Sequence, residues 1–149
     1  MPKNPVHYFE DSSVVGEVAR FLETFRDVVI SGGWTQLTSP TDMAGGWKGF
    51  VAQCEEGYSD NIYEFRNDLS VRNLIEEILG SPDLAEFQHQ FQWIRAEVDT
   101  IDERYRQILL EVDVEPGKPW WEARIPRLAG EELAADFLSR YGVSVEVVN

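Results

Sequence analysis

The chain has 149 residues and a formal net charge of −14 at pH 7, from 13 Lys and Arg against 27 Asp and Glu. This length and the hydrophobic fraction of 43% predict one packed domain, 1–149, rather than a disordered chain. The negative charge argues against binding to nucleic acid or anionic membranes, since phosphate binding depends on clustered Lys and Arg. It favours a basic protein as partner, the alternative being that the charge serves solubility alone.

The first predicted helix begins near Ser12 or Ser13, either of which can cap its N-terminus, and it ends at Gly32 and Gly33. Apolar residues recur in it at steps of three and four, which is typical of a helix with one buried face. They are Val14, Val15, Val18, Phe21, Leu22, Phe25, Val28 and Val29. The next segment, 32–46, holds four glycines and a proline and is predicted to be a loop.

Three shorter helices are predicted in the middle of the chain, each with apolar residues on one face. The first carries Trp47, Phe50, Val51 and Cys54; the second, around Asp60, carries Ile62 and Phe65; the third carries Val71, Leu74, Ile75, Ile78 and Leu79. Gly57 ends the first of these helices. Ser70 is placed to cap the third, and Gly80 ends it.

A long helix over about 82–112 has the clearest pattern in the sequence. Ser81 followed by Pro82 is a typical helix start, because proline at the first helical position loses no hydrogen bond. Eight apolar residues follow at alternating steps of three and four: Leu84, Phe87, Phe91, Ile94, Val98, Ile101, Tyr105 and Ile108. We expect this helix to form the centre of a multi-helix bundle, the alternative being a seam with a second chain.

The C-terminal part combines a break, a helix and a short extended segment. Two prolines and a glycine within 114–119 interrupt the long helix, and irregular backbone is predicted through Leu128. The last helix, 130–141, is predicted to bury Leu133, Ala134, Phe137, Leu138 and Tyr141. Valines alternate with polar residues over 143–147, which favours a terminal strand. The other extended segment that could pair with this strand is Val6–Phe9. The predicted fold class is therefore mainly α.

The cysteine content and the N-terminal sequence bear on the cellular compartment. Cys54 is the sole cysteine, so no intrachain disulfide can form, and we expect it to be a buried side chain. The first twenty residues lack the basic start and apolar run of a signal peptide. No apolar run approaches the roughly twenty residues that cross a bilayer. We therefore expect a cytoplasmic protein, whose oligomeric state the sequence leaves open.

Glu86 and His89 form a Glu-x-x-His pattern, which places two metal ligands on one helix face in di-iron bundles. Such a site needs a second pair, but the other histidine, His7, has no glutamate three residues before it. Loop carboxylates at Asp42 and Asp60 could act as general bases, yet no nucleophile with a paired base accompanies them. We expect no metal and no cofactor, and an enzyme remains the weakest alternative.

Five tryptophans supply the best candidates for an interaction surface, because tryptophan is favoured in cores and at interfaces alike. Trp93 lies outside the apolar stripe of the long helix and shares an outward stripe with Glu86 and His89. We expect a second helix to cover this stripe, the alternative being that it faces a partner. If it is uncovered, Trp93 is the natural hot spot of an interface.

Trp120 and Trp121 are adjacent, and Arg124 and Arg127 follow them closely. We expect one ring to enter the core and the other to stack near a guanidinium. Because the rest of the surface is acidic, this aromatic and basic patch could hold an anionic ligand or a carboxylate of a partner. The structural alternative is a core plug whose arginines extend into water.

The leading hypothesis is a protein-interaction or inhibitor module, similar in kind to immunity or antitoxin proteins, that binds a basic partner. The alternative from another class is a small-molecule-binding helical domain, with a pocket framed by the 32–46 loop and the tryptophans Trp34 and Trp121. The candidate interaction or ligand residues are Glu86, His89, Trp93, Trp120, Trp121, Arg124 and Arg127.

Overall fold

The computed structural model describes residues 12–34 and 39–148, and it confirms a mainly α fold. The elements in chain order are α1 Ser12–Ser31, α2 Pro40–Glu56, α3 Ile62–Leu69, α4 Val71–Leu79, a 3-10 turn Pro82–Leu84, α5 Gln88–Ile108, α6 Trp120–Ala123, β1 Leu128–Gly130, α7 Glu131–Tyr141 and β2 Glu146–Val148. In this part of the chain, no helix is both long enough and apolar enough to cross a membrane.

Helix α1 spans Ser12–Ser31 from the first described residue, and its buried face is narrower than the sequence pattern indicates. Phe21, Phe25 and Val29 are buried, whereas Val18 and Leu22 are 42% and 47% exposed. The helix packs along one side only, against the 3-10 turn and α4, so a single row of side chains reaches the core. The side chains of Val14 and Val15 lie outside the described residues.

Helix α2 corrects the prediction of a loop over 32–46, because it starts at Pro40. The hydroxyl of Ser39 accepts a hydrogen bond from the Asp42 amide at 3.0 Å, and Pro40 occupies the first turn. These two features begin the helix in spite of its glycines. Met43 and Trp47 are fully buried, and α2 packs along α5, so tertiary contacts outweigh the low helix propensity of glycine.

The long helix is shorter than predicted at both ends. Pro82 opens a 3-10 turn rather than α5, and Phe87 leaves helical geometry at φ −98° and ψ 53°. Its side chain and that of Leu84 are nevertheless buried, so they fill the core from the turn. At the other end, the Leu110 amide donates to the Ile125 carbonyl at 2.9 Å. Backbone pairing with a later segment thus ends α5 at Ile108.

The C-terminal strand pairs with residues 128–130, a segment predicted to be irregular backbone as far as Leu128 and helix from 130. Strand β2 lies parallel to β1, with Leu128 opposite Glu146, and α7 forms the connection between them. The alternative partner Val6–Phe9 lies outside the described residues. Helix α7 confirms the predicted last helix, although Leu138 is 54% exposed rather than buried.

Helix α3 packs on α7 and joins two distant parts of the chain. The rings of Phe65 and Phe137 meet edge to face at 5.5 Å. At the start of α3 the Ile62 amide donates to Asp136 Oδ2 at 2.9 Å. The C-terminal helix is therefore held to the core by apolar and polar contacts together.

Candidate functional site

The seven predicted patch residues fall into two separate regions. Glu86, His89 and Trp93 lie at or near the start of α5. The other four follow the end of α5, in α6 and the segment before β1. From Trp93 to Arg106, which contacts the second group, α5 rises about 20 Å at about 1.5 Å per residue. No single patch joins them.

Trp93 is 46% exposed, which corrects the expectation that a second helix covers it. His89 lies one turn before Trp93 on α5, and Glu97 lies one turn after it; both are exposed. Glu86 forms an ion pair with Arg20 of α1 at 3.2 Å, with more than half of each side chain exposed. Helix α1 thus contacts the turn before α5 and leaves the indole of Trp93 accessible. We call Glu86, His89, Trp93 and Glu97 the Trp93 face.

Trp121 is the ring that enters the core, as predicted for one of the adjacent pair. It is 6% exposed, and its Nε1 donates to Asn73 Oδ1 at 2.9 Å. The Arg72 guanidinium lies over the ring, 4.3 Å from its centroid. A buried cation above an indole is held by both apolar contact and the ring quadrupole.

Arg72 also forms a buried ion pair with Asp102, which the sequence analysis did not identify. Arg72 Nε donates to Asp102 Oδ1 and Arg72 Nη2 donates to Asp102 Oδ2, both at 2.9 Å. Trp47 Nε1 donates to the same Asp102 Oδ1, and Glu76 accepts from Arg72 Nη1, each at 2.9 Å. Burial alone would lower the pKa of Arg72. Its hydrogen bonds to Asp102 and Glu76 raise the pKa by more than burial lowers it, so the net shift is upward.

This buried network connects four helices through the side chains of Trp47, Arg72, Asp102 and Trp121. Each charged atom has a partner, as a buried ion pair requires. Arg72 lies three residues before Ile75, on the same face of α4 as the apolar residues of that helix. A charged residue on an apolar face is a signal in the sequence that could have indicated this buried ion pair. The side chains of Trp47, Arg72, Asp102 and Trp121 are buried, so this network holds the core together and is not a ligand site.

Trp120 stacks near a guanidinium as predicted, but the arginine is Arg106 of α5 rather than Arg124 or Arg127. The Arg106 guanidinium lies 4.0 Å from the ring centroid. Arg124 instead forms an ion pair with Asp113 at 3.2 Å. Arg127 has an exposed side chain, while its backbone joins Ile108 and Glu146.

A cleft of about 730 Å³ lies between α2 and the α3–α4 pair. Its lining includes Trp34, Asp42, Asp68 and the helix-interior glycines Gly45, Gly46 and Gly49. Trp34 lines this cleft and Trp121 does not. Of the proposed loop carboxylates, Asp42 is in the first turn of α2, and Asp60 accepts a hydrogen bond from the Asn61 amide at 2.7 Å.

Gly49→Ala is expected to raise the free energy of unfolding by about 0.5–1 kcal/mol, because alanine is the better helix former. A Cβ built at Gly49 meets no atom within 4 Å, so the added methyl group causes no clash. Urea denaturation followed by circular dichroism measures the change. Gly57→Ala is the comparison with the opposite expected sign. Gly57 has φ 101°, and a methyl group added there would lie 3.0 Å from the Val148 side chain, so this substitution should destabilise the fold. A loss of stability in Gly49→Ala would show that the cleft closes on α2 in solution.

Among residues 12–34 and 39–148, no group of three or more His, Cys, Asp or Glu side chains is placed to hold a metal ion. Cys54 is buried in the core, and burial raises the pKa of its thiol. In comparisons with protein families, curated proteins and solved structures, the chain matches none of them.

Proposed function

We propose that this chain is a protein-interaction or inhibitor module, of the immunity or antitoxin kind, that binds a basic partner through the Trp93 face. The observation that carries the proposal is the 46% exposure of Trp93 on an otherwise well-packed helix. Phe91, Ile94 and Val98 of the same helix are almost fully buried. Tryptophan is the residue type most enriched at interface hot spots, so a half-exposed indole on this helix is a candidate contact for a partner.

The surroundings of Trp93 favour a cationic partner. Glu97 lies one helical turn after Trp93 on α5, whereas Glu86 lies in the non-helical turn before α5 and is paired with Arg20. An Arg or Lys of a partner placed over the indole would gain a cation–π contact and an ion pair with a flanking carboxylate. Large aromatic rings dominate binding energy when they are desolvated at the centre of an interface.

The net charge of the chain supports the same choice of partner. A charge of −14 generates a negative potential around the protein, which accelerates encounter with a basic molecule and is screened by salt. Nucleic acid and anionic lipid are repelled by this field. The shortage of paired catalytic groups is in keeping with a binding role.

Trp93→Ala is expected to abolish partner binding while the melting temperature stays within about 2 °C, because a half-exposed side chain contributes little to the core. Gln92→Ala, at the exposed neighbouring position, is the control and should change neither quantity. The tagged wild-type chain and both variants are used to isolate partners from cells that produce the protein. Quantitative mass spectrometry then identifies proteins lost only with Trp93→Ala.

The purified partner is then tested by surface plasmon resonance at several salt concentrations. We expect a net positive partner whose association rate falls as salt rises from low to physiological strength. An acidic partner with a salt-insensitive association rate contradicts the proposal. So does a fall of several degrees in the melting temperature of Trp93→Ala, because that places the indole in the core.

A further inference from the structure

A small cavity of about 190 Å³ lies between α3, the segment before β1, and α7, away from the Trp93 face. Its floor is made of five side chains that are at most 4% exposed: Ile62, Phe65, Leu69, Ile125 and Phe137. Such a floor provides apolar contact for a ligand. Polar side chains complete the lining at the rim, and the volume is below the roughly 300–1,000 Å³ of pockets for drug-sized ligands, so only a small molecule fits.

One side of the rim is a closed hydrogen-bond triad of Arg66, Glu115 and Tyr141. Arg66 Nη2 and Tyr141 Oη each donate to Glu115 Oε2 at 2.6 Å, and Arg66 also donates to Tyr141 Oη. Burial raises the pKa of Tyr141, and the hydrogen bond to Glu115 adds to this effect. The phenol therefore stays protonated at neutral pH, and within the triad the charge of Arg66 is paired with that of Glu115.

The other side of the rim carries the charge that a ligand can use. Lys118 is exposed, and within the described part of the chain its ammonium group has no ion-pair partner. Arg124, also on the rim, shares its charge with Asp113. The charged lining comprises three cations, Arg66, Lys118 and Arg124, and two carboxylates, Glu115 and Glu122. With Asp113 included, three cations face three carboxylates, and Lys118 is the cation of this lining that has no ion-pair partner among the described residues.

We propose that this cavity binds a small organic carboxylate, with its apolar part on the floor and its carboxylate at Lys118 and Arg124. The volume limits the apolar part, since a dry cavity of about 150 Å³ accommodates benzene. A single ring or a short alkyl chain therefore fits the site. This inference is independent of the proposed function, because the cavity is separate from the Trp93 face and its test uses no protein partner.

The test uses benzoate as the probe, titrated into the uniformly ¹⁵N-labelled full chain and followed by ¹H–¹⁵N correlation spectra. Saturable shifts are expected at the amides of the cavity floor, including Phe65 and Phe137. Benzyl alcohol, which keeps the ring and removes the charge, should bind about threefold more weakly, as for loss of an exposed ion pair. Inorganic phosphate should leave the floor amides unchanged, because it lacks the apolar part.

Substitutions at Lys118 test the charged half of the site without disturbing the core. Lys118→Ala should raise the dissociation constant of benzoate about threefold, and Lys118→Glu should raise it further by adding repulsion. Lys48→Ala, which removes an exposed lysine of α2 outside this cavity, is the control and should have no effect. Three outcomes would overturn the proposal: no saturable shift with benzoate, equal binding of benzyl alcohol, or equal binding to both Lys118 variants and the wild type.

Discussion

Asp102→Ala is expected to lower the free energy of unfolding by about 3–5 kcal/mol, the range for removing one partner of a buried ion pair. The substitution leaves Arg72, which is 5% exposed, without its bidentate carboxylate. It also removes the acceptor of Trp47 Nε1. Urea denaturation monitored by far-UV circular dichroism and tryptophan fluorescence measures the loss. Asp99→Ala, at an exposed position of the same helix, should change stability by no more than about 0.5 kcal/mol.

The double variant Arg72→Met with Asp102→Leu separates the cost of an orphaned charge from the value of the pair. Because both charges are removed together, no buried ion is left unpaired, and much of the stability lost in Asp102→Ala should return. If Asp102→Ala proves no more harmful than Asp99→Ala, the ion pair is not buried in solution. If the double variant is as unstable as the single one, apolar packing at these positions outweighs the charge effect.

Phe91→Ala is expected to cost about 3–5 kcal/mol, as large-to-small substitutions of a buried phenylalanine do. Phe91 is 1% exposed, and its ring meets that of Phe21 edge to face at 5.8 Å. Truncation therefore removes the contact between α5 and α1 and leaves a cavity. Thermal and urea denaturation both report the loss.

Gln92→Ala is the matched control for Phe91→Ala, because Gln92 is the next residue of α5 and is exposed. Its substitution should change stability by less than about 0.5 kcal/mol. Similar losses for the two variants would mean that the helix is rotated from the orientation described here. The pair thus tests the buried face of α5 directly.

The helical periodicity of the sequence predicts most of the fold because it depends on local spacing alone. Phe91, Ile94, Val98, Ile101 and Tyr105 are all buried on one face of α5. Where the predictions fail, a longer-range contact decides. The end of α5 depends on backbone pairing between residues 110 and 125, and the start of α2 depends on a cap and on packing against α5.

Less of the candidate site than of the fold could be predicted from the sequence. The outward position of Trp93 follows from the spacing of α5, but its exposure depends on how far α1 extends over the helix. Trp121 contacts Arg72 and Trp120 contacts Arg106, and each pair is 14 or more positions apart in the sequence. The prediction relied on closeness along the chain and therefore named Arg124 and Arg127 instead. The periodicity of apolar residues predicts which face of a helix is buried. It does not predict which polar groups pair with each other.

The attachment of α7 to α3 has a consequence for how the protein is made. Ile62 and Asp136 are 74 positions apart, and at about 5–20 residues per second the ribosome needs about 4–15 s to synthesise the chain between them. During that interval the nascent chain exposes the apolar surface of Phe65 and its neighbours, which α7 later covers. The order of synthesis therefore requires the α3 surface to wait for its cover, and α3 cannot reach its final packing before α7 is made.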